Sequence, residues 1–240
     1  MPNAAKNCLD RKDFDDMKRI IHMKEENELM NYEVYTPEVM TEHLPMIVFL
    51  HGAGERGWNI DHLAKHGIPM MIKNGAQIPA VVLCPQCPAN CVWDNIPFDV
   101  MALIEKTAAE YKVDPDRISV TGGSMGGFGT WTMGLTFPTF FSAMAPMASG
   151  GMSWRCENLR TTPIRAYHGE KDGTVPLIYS ELMVEAVNKT GGSASLTVLA
   201  GYGHNDGINA AYTDTDIIEW LLSMKRTDRT PIAEALSKYF

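Results

Sequence analysis

The chain is short of long apolar runs, of basic blocks and of cysteine. Its most apolar stretches, Pro79 to Cys84 and Phe140 to Ala148, fall well below the roughly 18 residues a membrane-crossing helix needs. The expectation is a soluble protein with no membrane partner. Twenty-one Lys and Arg stand against 29 Asp and Glu, a formal net charge of −8 with no cationic tract, which argues against nucleic acid and anionic membrane. Met1 to Lys24 is rich in charged residues and holds no apolar signal core, so a cytoplasmic address is expected, or a secreted one if a leader was removed. Five cysteines, Cys8, Cys84, Cys87, Cys91 and Cys156, are too few and odd in number for a disulfide framework, and reduced thiols are the simplest expectation. Cys84, Cys87 and Cys91 have a C-x2-C-x3-C spacing, but no second Cys or His pair stands nearby at ligand spacing, so no metal is expected. Repeats, low-complexity tracts and long linkers are also missing, and residues 1–240 read as one α/β domain.

What is present is a regular alternation. Arg19 to Met23 and Tyr32 to Thr36 read as opening strands, and Met46 to Leu50 is a continuous apolar run of the kind a parallel sheet buries on both faces. Further strands are expected at Ala80 to Cys84, Arg117 to Thr121, Ala143 to Met147, Ile164 to His168 and Ser195 to Leu199. Helices are expected at Asp61 to Lys73, Phe98 to Tyr111, from Ser124 to near Phe137-Pro138, at Pro176 to Asn188 and at Thr213 to Lys225, with a short helix or loose tail over Thr227 to Phe240. Two strands followed by six alternating with helices imply an eight-stranded, mostly parallel sheet with helices on both faces, and ligands then gather at the carboxyl ends of the strands.

Gly122-Gly123-Ser124-Met125-Gly126 sits between one such strand and one such helix. A Gly-x-Ser-x-Gly in that context is a nucleophile elbow, in which Ser124 is held in a strained turn and residues two positions away must be small. A serine hydroxyl needs a base within reach and a third group to orient that base. In a sheet fold with this elbow the chain order is Ser, then Asp or Glu, then His. Downstream histidines are His168, at a strand end, and His204, in the loop after the last strand; His204 is the better base. Asp172, just past a strand, is the better acid, with Asp206 and Glu170 as rivals. Backbone N–H groups stabilise a developing oxyanion, and Met125, at the helix start, is the first candidate. The second falls in His51-Gly52-Ala53-Gly54-Glu55-Arg56-Gly57, at Ala53 or, second, Gly54. Arg56 is expected to tie this loop by an ion pair with Glu55 or, less favoured, to anchor an acidic substrate. Trp58, Trp93 and Trp154 follow strand ends and are candidates for the pocket lining or for core packing, with Met125 and Met152 as further apolar surface; Trp131 and Trp220 lie on expected helices and read as core.

Four pieces in order, His51 to Gly57, Gly122 to Trp131, His168-Gly169-Glu170-Lys171-Asp172-Gly173-Thr174-Val175-Pro176, and Gly203-His204-Asn205 followed by Glu219-Trp220-Leu221, resemble the α/β-hydrolase superfamily. Within it the chain is similar to small carboxylesterases related to polyhydroxybutyrate depolymerases, feruloyl and acetylxylan esterases and prolyl oligopeptidase catalytic domains. The resemblance implies the α/β-hydrolase fold, Ser124, Asp172 and His204 as nucleophile, acid and base, no cofactor, and short-chain acyl or hydroxycinnamoyl esters, free or oligosaccharide-linked, as substrates. Two alternatives stay open: a prolyl oligopeptidase-like peptidase, disfavoured because no gating domain precedes the hydrolase region, and a binding protein that keeps the fold without catalysis. The family often carries an aromatic residue soon after the base histidine, where this chain has Asp206-Gly207, so that wall of the pocket is expected to differ. The short connection Ser149 to Thr162 leaves no room for a large lid. Oligomeric state is not legible.

Overall fold

The computed structural model describes residues 17–26 and 28–229; Cys8 and most of the expected Thr227 to Phe240 segment lie outside them. The eight strands are β1 Lys18–His22, β2 Tyr32–Thr36, β3 Met46–Leu50, β4 Val81–Pro85, β5 Ile118–Gly123, β6 Met144–Met147, β7 Ile164–Gly169 and β8 Ala194–Leu199. They form one sheet in the order β1-β2-β4-β3-β5-β6-β7-β8. Only β2 runs against its neighbours; all other pairings in the sheet are parallel.

The apolar run of β3 is buried on both faces because its residues alternate between two cores. Met46, Val48 and Leu50 pack under α2 (Pro97–Glu110), α3 (Met125–Thr136) and α4 (Ile178–Lys189), through Ile104, Trp131 and Met183 among others. Ile47 and Phe49 pack on the opposite face under α1 (Gly67–Lys73), α5 (His204–Thr213) and α6 (Ile217–Ser223), through Ile68, Tyr212 and Leu221. This is the α/β-hydrolase fold, with helices on both faces and the carboxyl ends of β3, β5 and β7 at one rim. No described helix is long and apolar enough to cross a membrane.

Two expected helices need correction. The segment Asp61 to Lys73 is a 3-10 turn, Ile60–Lys65, then α1, with the chain turning at His66. Gly67 there has φ +62 and lies so close to Phe49 that a Cβ would strike the ring. The segment Thr213 to Lys225 contributes only the short α6, and a helix not foreseen, α5, begins at His204. Asn205, Asp206 and Gly207 suggest a turn, but the Asp206 carboxylate accepts the Gly203 N–H at 3.1 Å and so caps a helix instead.

Candidate active site

At the end of β5 the chain turns through Ser124 with φ 55 and ψ −124 and enters α3 directly. That positive φ at a non-glycine residue is a strained conformation, and it lifts the hydroxyl above the sheet rim. The turn is tight enough that a Cβ at Gly126 would drive into the Leu50 carbonyl, and one at Gly122 into the carbonyls of Leu50 and Gly126. Glycine at both positions is therefore a packing requirement of the turn.

The turn after β5, the start of α5 and the loop after β7 bring Ser124, His204 and Asp172 together. His204 Nε2 lies 2.8 Å from Ser124 Oγ, and His204 Nδ1 lies 2.6 Å from Asp172 Oδ2. His204 is the first residue of α5, so its ring is carried by a helix end rather than a free loop. Asp172 follows β7 and is itself oriented, since its Oδ1 accepts the N–H groups of Thr174 at 2.8 Å and Val175 at 2.9 Å. Burial raises the Asp172 pKa, but the hydrogen bond from His204 and those from Val175 and Thr174 more than offset it, leaving the carboxyl below its ordinary value. The rivals are engaged elsewhere: Asp206 caps α5, and Glu170 accepts the Gly201 N–H at 2.8 Å.

His168, the less favoured histidine, stands behind Asp172. Its buried ring places Nε2 2.9 Å from the Val175 carbonyl and 3.4 Å from Asp172 Oδ2, while Nδ1 meets Ser180 Oγ at 2.8 Å. Asp172 is thus held between two imidazoles, one facing Ser124 and one in the core.

The loop after β3 is pinned on several sides. His51 Nε2 accepts the Cys87 N–H at 2.9 Å, so its proton sits on Nδ1 and is donated to the Gly52 carbonyl at 2.6 Å. Burial depresses the His51 pKa to about 4, which keeps the ring neutral. Trp93 Nε1 donates to the His51 carbonyl at 2.9 Å. Arg56 does hold the loop, though not through Glu55: its guanidinium donates to the carbonyls of Ala53 at 3.1 Å and Cys91 at 3.2 Å. Ala53 opens a 3-10 turn, Ala53–Glu55, on the rim of the cleft. Ser124 N–H is engaged with the Met147 carbonyl at 3.0 Å, and Met125 supplies the next amide, in the first turn of α3 where no intrahelical acceptor exists.

Over the serine lies a cleft of about 320 Å³ lined by Phe49, Ala53, Gly54, Glu55, His66, Thr174, Asn205 and Ile208, together with Ser124, His204 and the glycines Gly52 and Gly123. None of the three candidate tryptophans lines it. Trp93 is 1% exposed and belongs to the core under α2 and α3. Trp58 is half exposed beside Lys24, whose Nζ lies 5.4 Å from the ring centroid. Trp154 is 81% exposed on a 3-10 stretch, Ser153–Leu159, that occupies the short connection where a lid would stand. Met152 is exposed but does not line the cleft, Met125 is buried, and Trp131 and Trp220 lie in the core. Where an aromatic was absent after the base histidine, Asn205 and Ile208 form the wall. The sequence does not single out Glu55 and His66 as cleft residues: Glu55 reads as a partner for Arg56, and His66 lies inside an expected continuous helix. Cys84, Cys87 and Cys156 are buried thiols, and no group of three His, Cys, Asp or Glu side chains among the described residues is arranged to hold a metal.

A strained serine on a strand-to-helix turn, an imidazole and a carboxylate on the next segments, and this sheet order are the features of the α/β-hydrolase fold, which the chain has. Proteins named as esterases are among those it is similar to. The prolyl oligopeptidase family matches residues 94–156, which include Ser124. A poly(3-hydroxyalkanoate) depolymerase C from Paucimonas lemoignei is 25% identical over 132 residues, 55% of this chain and 31% of that protein. The carboxylesterase NlhH of Mycobacterium tuberculosis is 32% identical over 100 residues, 39% of this chain and 30% of that protein. The chain thus spans less than a third of either relative over the matched region. Among solved structures, a thermostable esterase superposes with a TM-score of 0.75 at 28% identity, covering 88% of this chain and 64% of that one. The feruloyl esterase module from Clostridium thermocellum shares the fold, with a TM-score of 0.67 at 15% identity, covering 87% of this chain and 88% of that one.

Proposed function

We propose that the protein is a serine carboxylic ester hydrolase working through an acyl-enzyme. The observation that carries this is the unbroken chain Ser124 Oγ, His204 Nε2, His204 Nδ1, Asp172 Oδ2, with links of 2.8 and 2.6 Å. Ser124 Oγ adds to the ester carbonyl as His204 Nε2 takes its proton, and Asp172 stabilises the imidazolium. The N–H groups of Met125 and Ala53 receive the oxyanion. Collapse breaks the ester C–O bond, His204 protonates the departing alkoxide, and the alcohol leaves an acyl-Ser124. Water, deprotonated by His204, then adds to that carbonyl, and the acid departs with the Ser124 proton restored.

Phe49 and Ile208 give the cleft a small apolar wall, which suits short acyl groups. The tryptophans that would have formed a platform for a hydroxycinnamoyl group stand elsewhere, so short-chain esters are favoured over feruloyl-type ones. The match to the prolyl oligopeptidase family over residues 94–156 favours a second reading, a serine peptidase with the same three residues. Hydrolysis of p-nitrophenyl acetate, p-nitrophenyl butyrate and methyl ferulate beside aminoacyl-proline anilides separates them. Turnover of the short esters is the expected result, and turnover of the anilides alone supports the peptidase.

A further inference from the structure

Glu55 is 3% exposed, yet it lines the cleft above Ser124. A Cβ placed on Gly52 would lie 3.3 Å from Glu55 Oε2 and 3.8 Å from Ser124 Cβ, so the carboxyl and the nucleophile flank the same glycine. Among the described residues no donor hydrogen-bonds to this carboxyl. Two imidazole nitrogens stand 3.9 Å from it, His51 Nδ1 and His66 Nε2. Neither closes on it. The His51 Nδ1 proton is engaged with the Gly52 carbonyl, and Nε2 with Cys87. On the other side, Asn209 Oδ1 accepts the Gly67 N–H at 3.2 Å, so its amide NH2 faces His66 Nδ1, also at 3.2 Å. That network leaves the His66 proton on Nε2, pointing across a gap toward Glu55 Oε1.

A carboxyl enclosed to this degree and without a protein donor is left to be satisfied from the cleft. Beside a developing oxyanion it also works against the transition state unless something neutralises or hydrogen-bonds it. The lining residues include no Lys or Arg to do so. We propose that Glu55 is a substrate-recognition residue: with His66 and Asn205 it forms a polar subsite beside Ser124 that binds a hydrogen-bond donor, a hydroxyl or an ammonium, carried by the ester. This deepens the ester hydrolase reading and rests on it. Such a subsite selects hydroxylated or amino-substituted esters over their plain counterparts, and it disfavours anionic substrates, in keeping with a chain of net charge −8.

The test measures kcat/KM for ethyl acetate, ethyl glycolate, 2-hydroxyethyl acetate and ethyl glycinate, each divided by the alkaline hydrolysis rate of the same ester. The three donor-bearing esters separate a hydroxyl on the acyl side, a hydroxyl on the alcohol side and an ammonium. The wild-type protein is expected to prefer at least one of them over ethyl acetate by about tenfold or more, the scale of a hydrogen bond to a charged group. In Glu55→Gln, which keeps the shape and a neutral acceptor, that preference falls by about threefold or more, because charge-assisted hydrogen bonds are roughly twice as strong as neutral ones. In Glu55→Leu, checked for folding by its thermal transition, it disappears. Flat wild-type ratios, or a preference undiminished in Glu55→Gln, overturn the subsite. If Ser124 is labelled by a fluorophosphonate and ethyl acetate is hydrolysed while the ratios are flat, only the subsite fails. If there is neither labelling nor ester hydrolysis, the hydrolase reading fails and the subsite with it.

Discussion

Asp172 is the best-anchored member of the site. Its two oxygens take hydrogen bonds from His204, Thr174 and Val175, and these hold its pKa below the ordinary value of 3.8. A carboxyl with a depressed folded pKa contributes stability that is present above its unfolded pKa and lost as pH falls through the folded one. The thermal stability of wild type over Asp172→Asn should therefore stay constant from pH 7 down to about 4 and shrink only below it. Melting curves of both proteins across that range check this, and a gap that closes between pH 7 and 5 contradicts it. The tryptophans give a second residue-scale test, because their sequence contexts look alike and their environments do not. Trp93 is 1% exposed and its Nε1 holds the His51 carbonyl, whereas Trp154 is 81% exposed. Trp93→Ala should cost about 3–5 kcal/mol and Trp154→Ala no more than about 0.5 kcal/mol in denaturant unfolding. Similar costs for the two would refute the core assignment of Trp93.

At the scale of elements, the elbow joins β5 to α3 with so little clearance that the Leu50 carbonyl of β3 limits what can stand at Gly126. Gly126→Ala is expected to destabilise by at least about 1–3 kcal/mol, since neither the strand nor the helix can retreat without losing its own packing. Gly54, on the loop after β3, has open space around it, and Gly54→Ala should leave stability within about 0.5 kcal/mol of wild type. Unfolding midpoints of the two variants measured together decide it; a stable Gly126→Ala protein would show that the turn is looser than described. The strand runs were legible in the sequence because both faces of this sheet are covered, so β3 and β4 read as apolar runs and β4 ends at a proline. The helix ends were less legible. Just after His66 the left-handed Gly67 interrupts a periodic pattern, and at His204 the turn-forming residues Asn205, Asp206 and Gly207 open a helix because Asp206 caps it. In both places a tertiary contact or cap overrides the local preference.

Across the whole molecule, the site is assembled from the ends of β3, β5 and β7 and from the start of α5, segments far apart in the chain. That Ser124, Asp172 and His204 meet could be read from the sequence because nucleophile chemistry calls for those residue types and a sheet fold with this elbow carries them in that order. The cleft lining could not, because which of several loop residues faces the serine depends on how the loops pack. Hence Trp58, Trp93 and Trp154 were named, while Glu55, His66 and Ile208 do the lining. The functional account requires that Ser124 carry the acyl group of an ester between two half-reactions. The most direct measurement is rapid mixing with p-nitrophenyl butyrate followed by acid quench and mass spectrometry of the intact chain and its peptides. A burst of p-nitrophenol with a butyryl mass increase on the Ser124 peptide is expected, with loss of both in Ser124→Ala, whose kcat falls by at least about a thousandfold. Turnover of the ester by Ser124→Ala at a rate near wild type, or a butyryl group found on a different residue, would contradict it.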